Sequence, residues 1–308
     1  MAISRSPADL TITSRSLKAD REVKHPRWWH GNDPVPTAFF NALSATFPQG
    51  ETFFIDSVRR YRDQADPVLR DQIDRFIQQE AMHTREHVAF NRLIKDAGYD
   101  TAAMDAYTRQ RMTLARERHP IAQLAITIAL EHFTAIMAHA LLTEEHPLPG
   151  APGEIARLWQ WHALEEIEHK GVCFDTYLLA TRNLSPMRQW MIRSRVMLLI
   201  SFQFWHSNRR HMADFFRQDG INSPRTWYRT WKFLLVSPGI LRKIALPYLS
   251  FYLPGFHPWR HDDRNLIAAV ERELTFANET AAFTAASTVP PTASSSQQPV
   301  RSDTPQPI

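Results

Sequence analysis

Four glutamates and two histidines in this chain fall into a spacing that suits a metal. In QEAMH, Glu80 and His83 stand three residues apart, and HALEEIEHK (162–170) repeats the arrangement with Glu166 and His169. Positions three apart on a helix share a face about one turn from each other, so each pair can converge on one ion. Glu51 and Glu131 stand alone in apolar surroundings. A lone carboxylate in a core is costly unless it is paired or bound to metal, so Glu131 in IAQLAITIALEHFTAIM requires a partner. Two Glu-x-x-His pairs on separate helices, with one Glu from each of two others, are the ligand set of carboxylate-bridged dinuclear sites in four-helix bundles. The candidate ligands are therefore Glu51, Glu80, His83, Glu131, Glu166 and His169. A solvated helix face, or a salt bridge to an arginine elsewhere, explains single members of this set but not the joint pattern.

Three neighbours extend the set. His162 lies four residues before Glu166 on the same helical face, as an additional ligand or as a hydrogen-bond partner behind the ligands. His87, one turn after His83, is open to three roles, ligand, proton donor or outer hydrogen-bond partner, with the last favoured. His87 and His162 are thus the candidate catalytic groups. Glu165, four before His169, competes with Glu166; the repeated three-residue spacing favours Glu166 and leaves Glu165 and Asp175 to orient histidines. Imidazole and carboxylate together suit iron, manganese or zinc, and two ions are expected. No lysine or arginine interrupts FIQQEAMH or IALEHFTAIM, which points to an apolar or neutral substrate rather than a phosphate.

The elements that must position these residues are helical. Nine glycines in 308 residues, few alternating patterns and long stretches with apolar residues three and four apart predict an all-α protein. Residues 1–34 read as a loose leader without the apolar stretch of a secretory signal. Four helices are expected over 35–184: about Pro36 to Arg62, interrupted at FPQGE (47–51); Asp66 to Gly98; His119 through LL142; and Gly153 to Ser185. Two long helices over 187–218 and 224–250, an irregular GFHPWRHDD, and a helix over 264–285 form an additional cap spanning 185–285. The tail 286–308, rich in Pro, Ser, Thr and Gln, is expected to be disordered.

With 36 Lys and Arg against 32 Asp and Glu, and the arginines scattered, no nucleic-acid partner is indicated. The single cysteine, Cys173, rules out an internal disulfide and favours a reducing compartment, so the cytoplasm is the expected location. No transmembrane segment is expected, since the apolar run VMLLISFQFW is too short to span a bilayer. The greasy segment 231–256 leaves peripheral membrane contact open, and a homodimer is open too.

FPQGETFF, FIQQEAMHTREHVAFN, ALEHFTA, WHALEEIEHKGVCFD and GFHPW together resemble the bacterial family of predicted metal-dependent hydrolases within the ferritin-like superfamily, over about residues 35–265. The resemblance implies a ferritin-like four-helix bundle over 35–184 capped by the later helices. The run His162, Glu166, His169 is also similar to that of the di-iron arylamine N-oxygenases, where the equivalent histidine is an extra ligand. That similarity implies a di-iron oxygenase or oxidase using O2 and an electron donor on a small, apolar or neutral substrate, and this reading ranks first. A dinuclear metal-dependent hydrolase, with His87 as base, ranks second. A ferritin-like protein that stores metal ranks third.

Overall fold

The computed structural model describes residues 25–274 together with 6, 7, 10–15 and 17. Most of the expected leader, the end of the last helix and the tail 286–308 lie outside the described residues. Within them the protein is all-helical, without strands.

Helix α1 (Pro34–Ser44) starts where the Asp33 carboxylate accepts from the Val35 amide, and all of it is buried. Helix α2 (Phe47–Arg59) follows after Ala45 and Thr46, so the first expected helix is two. Pro48, in the first turn of α2, has no N–H with which to continue the ladder of α1. Helix α3 (Pro67–Asp96) is capped by Asp66, whose side chain accepts from the Leu69 amide, and the chain turns away at Gly98 with φ +88°. Helix α4 (Ala102–Arg116) lies where the sequence pattern predicts no helix: it buries only Met104 and Thr108, so its sequence carries no strong apolar stripe.

Helix α5 (Pro120–Leu142) is long and apolar enough to cross a membrane, yet most of its apolar stretch is buried against α2, α6 (Gly153–His169), α7 (Val172–Ala180) and α8 (Pro186–Gln218). It reads as a core helix. The fourth expected helix breaks into α6 and α7 at Lys170 and Gly171. A side-chain carbon at Gly171 would lie 2.7 Å from the Trp259 ring, so only glycine lets the chain turn beneath that indole. The later apolar segment likewise breaks, into α9 (Pro224–Leu235) and α10 (Ile240–Ser250), at a turn containing Gly239 with φ +73°. The chain is helical again from 264 to 274.

Helix α2 packs mainly on α3 and α5 on α6, while α2–α5 and α3–α6 contacts join the two pairs. Phe53, Ile73, Phe76, Leu124, Ile128, Phe133 and Tyr177 form the core among them, and Met197 and Phe251 from the later helices share it. The buried guanidinium of Arg193 on α8 donates to the carbonyls of Phe251 and Leu253, fixing the end of α10 to α8.

Candidate metal centre

The two helix pairs carry every candidate ligand to one buried place. Glu51 comes from α2, Glu80, His83 and His87 from α3, Glu131 from α5, and His162, Glu166 and His169 from α6. None of these eight is more than 4% exposed. Such burial of four carboxylates is costly unless cations or hydrogen bonds compensate.

The ligand atoms fall into groups that share members. Atoms of Glu80, Glu131 and His169 lie within 4.8 Å of one another, and so do those of Glu51, Glu80 and His83. His83, His162 and Glu166 form a further group, as do Glu51, His87 and His162. His169 Nε2 is 3.2 Å from Glu80 Oε1, 3.4 Å from Glu131 Oε2 and 3.5 Å from Glu166 Oε2. His83 Nδ1 is 3.6 Å from Glu166 Oε1 and 3.9 Å from Glu80 Oε1. Glu80 and Glu166 therefore each approach both histidines. Donors bonded at ~2.1 Å around one ion stand ~3.0–3.4 Å apart, close to the spacing found here.

Hydrogen bonding separates the inner atoms from the outer ones. Both oxygens of Glu80 and of Glu131, Glu51 Oε1, Glu166 Oε2, His83 Nδ1 and His169 Nε2 are buried with no hydrogen-bond partner among the described residues. Buried polar atoms without partners are rare in native proteins. Here they all face one another, which suits a cationic guest.

The outward-facing ring nitrogens, by contrast, are held. His83 Nε2 is 3.0 Å from Glu165 Oε2, and His169 Nδ1 is 3.0 Å from Gln79 Oε1. These acceptors hold one ring N–H of each histidine outward and leave its other nitrogen facing inward, the arrangement that orients metal-binding histidines. A further layer locks the acceptors. Gln79 Nε2 donates to Glu168, Arg15 donates to Glu168 at 2.6 Å, the Arg15 amide and the Trp161 indole donate to Glu165, and Thr84 donates to Glu51 Oε2 at 2.9 Å. Glu165 is thus engaged outside the ligand groups, and Glu168 is buried in an ion pair with Arg15. Asp175 does not reach the centre; it accepts from Ser6 and from His257, and so ties the GFHPW segment to α7.

His162 and His87 form a relay at the edge of the centre. Ser44 Oγ donates to Asn91 Oδ1, which leaves the Ser44 oxygen to accept from His87 Nδ1–H. His87 Nε2 then accepts from His162 Nδ1–H at 2.5 Å. With both assignments made, either His162 is an imidazolium or its Nε2 lone pair points inward, 2.8 Å from Glu166 Oε1 and 4.0 Å from Glu51 Oε1. Phe47 stacks edge-on against both rings and shields the pair.

The electrostatics follow from burial and crowding. Burial, aided by neighbouring carboxylates, pushes Glu51 and Glu80 well above the usual carboxylate range, and Glu131 rises to about 7 for the same reasons. Burial would also raise Glu166, but His169 and His162 outweigh it and hold that carboxyl well below its ordinary value. Burial opposes charge on His169 too, yet Glu166 and Glu131 raise it strongly, whereas burial lowers His83 and His87. No lysine or arginine among the described residues pairs with Glu51, Glu80, Glu131 or Glu166, whose ionic neighbours are histidines. A second histidine cluster differs in this respect: Asp263 accepts from His139, His261 and Lys170, so its members satisfy one another.

Two cavities reach the centre. The larger, about 640 Å³, touches His162 and Glu166 and is walled by apolar side chains including Phe39, Phe40, Met137 and Trp159. The smaller, about 430 Å³, touches Glu51 beside Phe54 and Met112, and both share Leu43, Phe47 and Thr134.

Residues 13–262 match the family described as predicted metal-dependent hydrolase. The chain belongs to that family. The match covers every helix that supplies a candidate ligand, and the buried Glu and His clusters are compatible with the metal binding that the family description implies. Neither the curated proteins nor the solved structures include a match to the chain.

Proposed function

We propose that the centre holds two metal ions in a ferritin-like arrangement of α2, α3, α5 and α6, and that the protein is a hydrolase acting on a small, largely apolar or neutral substrate. The observation that carries this reading is the set of buried, partnerless ligand atoms in two groups that share Glu80. Glu80, Glu131, Glu166 and His169 would hold one ion, and Glu51, Glu80, Glu166 and His83 the other. When bound, such ions supply Lewis acidity and lower the pKa of water. The chain's own residues do the rest. The apolar cavity orients the substrate and excludes bulk water, and Phe47 shields the histidine pair. His162, which borders both cavity and centre, passes a proton through Nδ1 to His87, whose other nitrogen is fixed by Ser44. His87, expected as the base, thus reaches the centre through His162.

The sequence alone ranked oxygen chemistry at two irons first, and the family match favours hydrolysis instead. A second reading remains supported by the donor set itself. Four carboxylates with two histidines favour the higher-charged ions Fe(III) and Mn(III), and His162, with Nε2 directed inward, would then be an additional ligand. The two readings use His162 in opposite ways. Protein loaded with zinc, manganese or iron, and its His162→Asn variant, should be assayed on nitrophenyl esters of increasing acyl length and for O2 uptake after reduction. Metal-dependent ester cleavage, lost in a variant that keeps its metal, supports the hydrolase. O2 uptake without cleavage, with metal lost in the variant, selects the second reading, and absence of bound metal refutes both.

A further inference from the structure

Helix α9 is inside out for a water-facing helix. Its buried positions are Thr226, Thr230 and Leu234, while Tyr228, Trp231 and Leu235, spaced three and four apart on one stripe, are exposed. Trp231 is 55% exposed, and on α10 Leu246 reaches 78% with Leu249 beside it one turn on. Val236, in the turn between the helices, and Leu253, just past α10, extend the exposed apolar surface. So many large apolar side chains exposed on two consecutive helices mark an interaction surface rather than ordinary scatter.

The charge around this surface is one-sided. The whole chain is nearly balanced, but residues 220–261 carry Arg225, Arg229, Lys232, Arg242, Lys243 and Arg260 and not a single Asp or Glu. Arg229 pairs with Asp33 and Lys243 with Glu144. Arg225, Lys232 and Arg242 are exposed and make no ion pair with the described residues. Amphipathic helices with aromatic and leucine side chains on one face and Lys or Arg around it lie in the headgroup region of anionic bilayers, and each basic group near the surface adds to the attraction. The α9–α10 pair is apolar enough to span a membrane by composition but is bent by 51° at its turn, which suits a pair lying along a surface rather than one crossing it.

The same elements border the larger cavity. Phe233, Ser237, Pro238, Ile240 and Lys243 line it, and so do His162 and Glu166 of the candidate metal centre. We infer that the α9–α10 face docks this protein on an anionic lipid bilayer, and that the cavity receives an apolar substrate carried by that bilayer. The second clause rests on the proposed metal centre, the first does not.

The test is co-sedimentation of the full chain with vesicles of equal parts phosphatidylcholine and phosphatidylglycerol, and with phosphatidylcholine alone, alongside the double variant Trp231→Glu, Leu246→Glu. Both changes are on exposed side chains, so folding should persist, and unfolding temperature and metal content are read on the same samples. Wild-type protein should bind the anionic vesicles, more weakly at raised salt and on the neutral vesicles, and the double variant about tenfold or more weakly with metal content unchanged. Absence of binding to the anionic vesicles, or equal binding by the double variant, would overturn the docking surface. So would a dimer mass for the wild type that the double variant converts to a monomer, since a second copy would then cover this face. Loss of metal from both proteins with vesicle binding intact would refute the metal centre and spare the surface.

Discussion

Replacing Glu131 by Gln should make the metal-free protein more stable and the metal-bound protein poorer in metal. Glu131 is 2% exposed, and neither of its oxygens has a hydrogen-bond partner. Burial and the nearby Glu166 raise its carboxyl from 4.5 to about 7 in spite of His169. Because the folded-state value is the higher one, the folded state holds this proton more tightly than the unfolded chain. Its contribution is fully present below pH 4.5 and is lost as pH rises through about 7. At 1.36 kcal/mol per pH unit the loss amounts to about 3 kcal/mol by pH 8. Gln is the same size and neutral, so it removes this loss, less a fraction because its amide is also unpartnered. A net gain of about 2 kcal/mol should raise the unfolding temperature by roughly 3 °C at this chain length. Near pH 5 the gain should shrink towards zero. Thermal unfolding of chelator-treated protein at pH 5 and pH 8, with metal analysis of untreated protein, reads both effects. A variant less stable than wild type at pH 8 with its metal intact would show that Glu131 is paired within the protein, and the reasoning would fail.

Other outcomes follow from the layer behind the ligands. Glu165→Gln, which alters the acceptor for His83, should weaken binding of the ion held by His83 by about 10–100-fold in a metal titration, with little change at the other ion. Gln79→Leu should do the same for the ion held by His169, whose Nδ1 it would leave without an acceptor; equal affinity for both ions would contradict the assignment. Gly171→Ala, forcing a methyl into the Trp259 ring, should cost about 1–3 kcal/mol in denaturant unfolding without affecting metal stoichiometry. Ala163→Trp, placed where the larger cavity meets α6, should abolish turnover of long-chain esters while metal content stays at the wild-type level, whereas retained turnover would move the substrate path to the smaller cavity.

The buried cluster of candidate ligands was legible because helical spacing is a local rule: two Glu-x-x-His pairs announce themselves within four residues, and Glu131 stands out in its apolar run. The structure brings all six together with His162 and His87. The layer behind them was not legible. Arg15 reaches Glu168 across 153 residues and Gln79 reaches His169 across 90, and no local pattern encodes such pairings. The link from His87 to His162 spans 75 residues and was hidden for the same reason. Among the elements, α3 and α5 carry strong caps or long apolar runs and were placed nearly to the residue. Helix α4 escaped because nearly all of it faces outward. The breaks at Gly171 and Gly239 were missed because they depend on distant packing, such as the Trp259 indole, or on a single backbone torsion within an apolar run.

In the proposed centre two ions share Glu80. The most direct measurement is metal content per chain, by mass spectrometry of the elements, for wild-type protein supplied with iron, manganese and zinc and for Glu80→Ala. The wild type should hold about two equivalents and the variant should lose metal from both positions, since Glu80 belongs to both candidate groups. A wild type without stoichiometric metal, or a folded Glu80→Ala variant that keeps both equivalents, would contradict it.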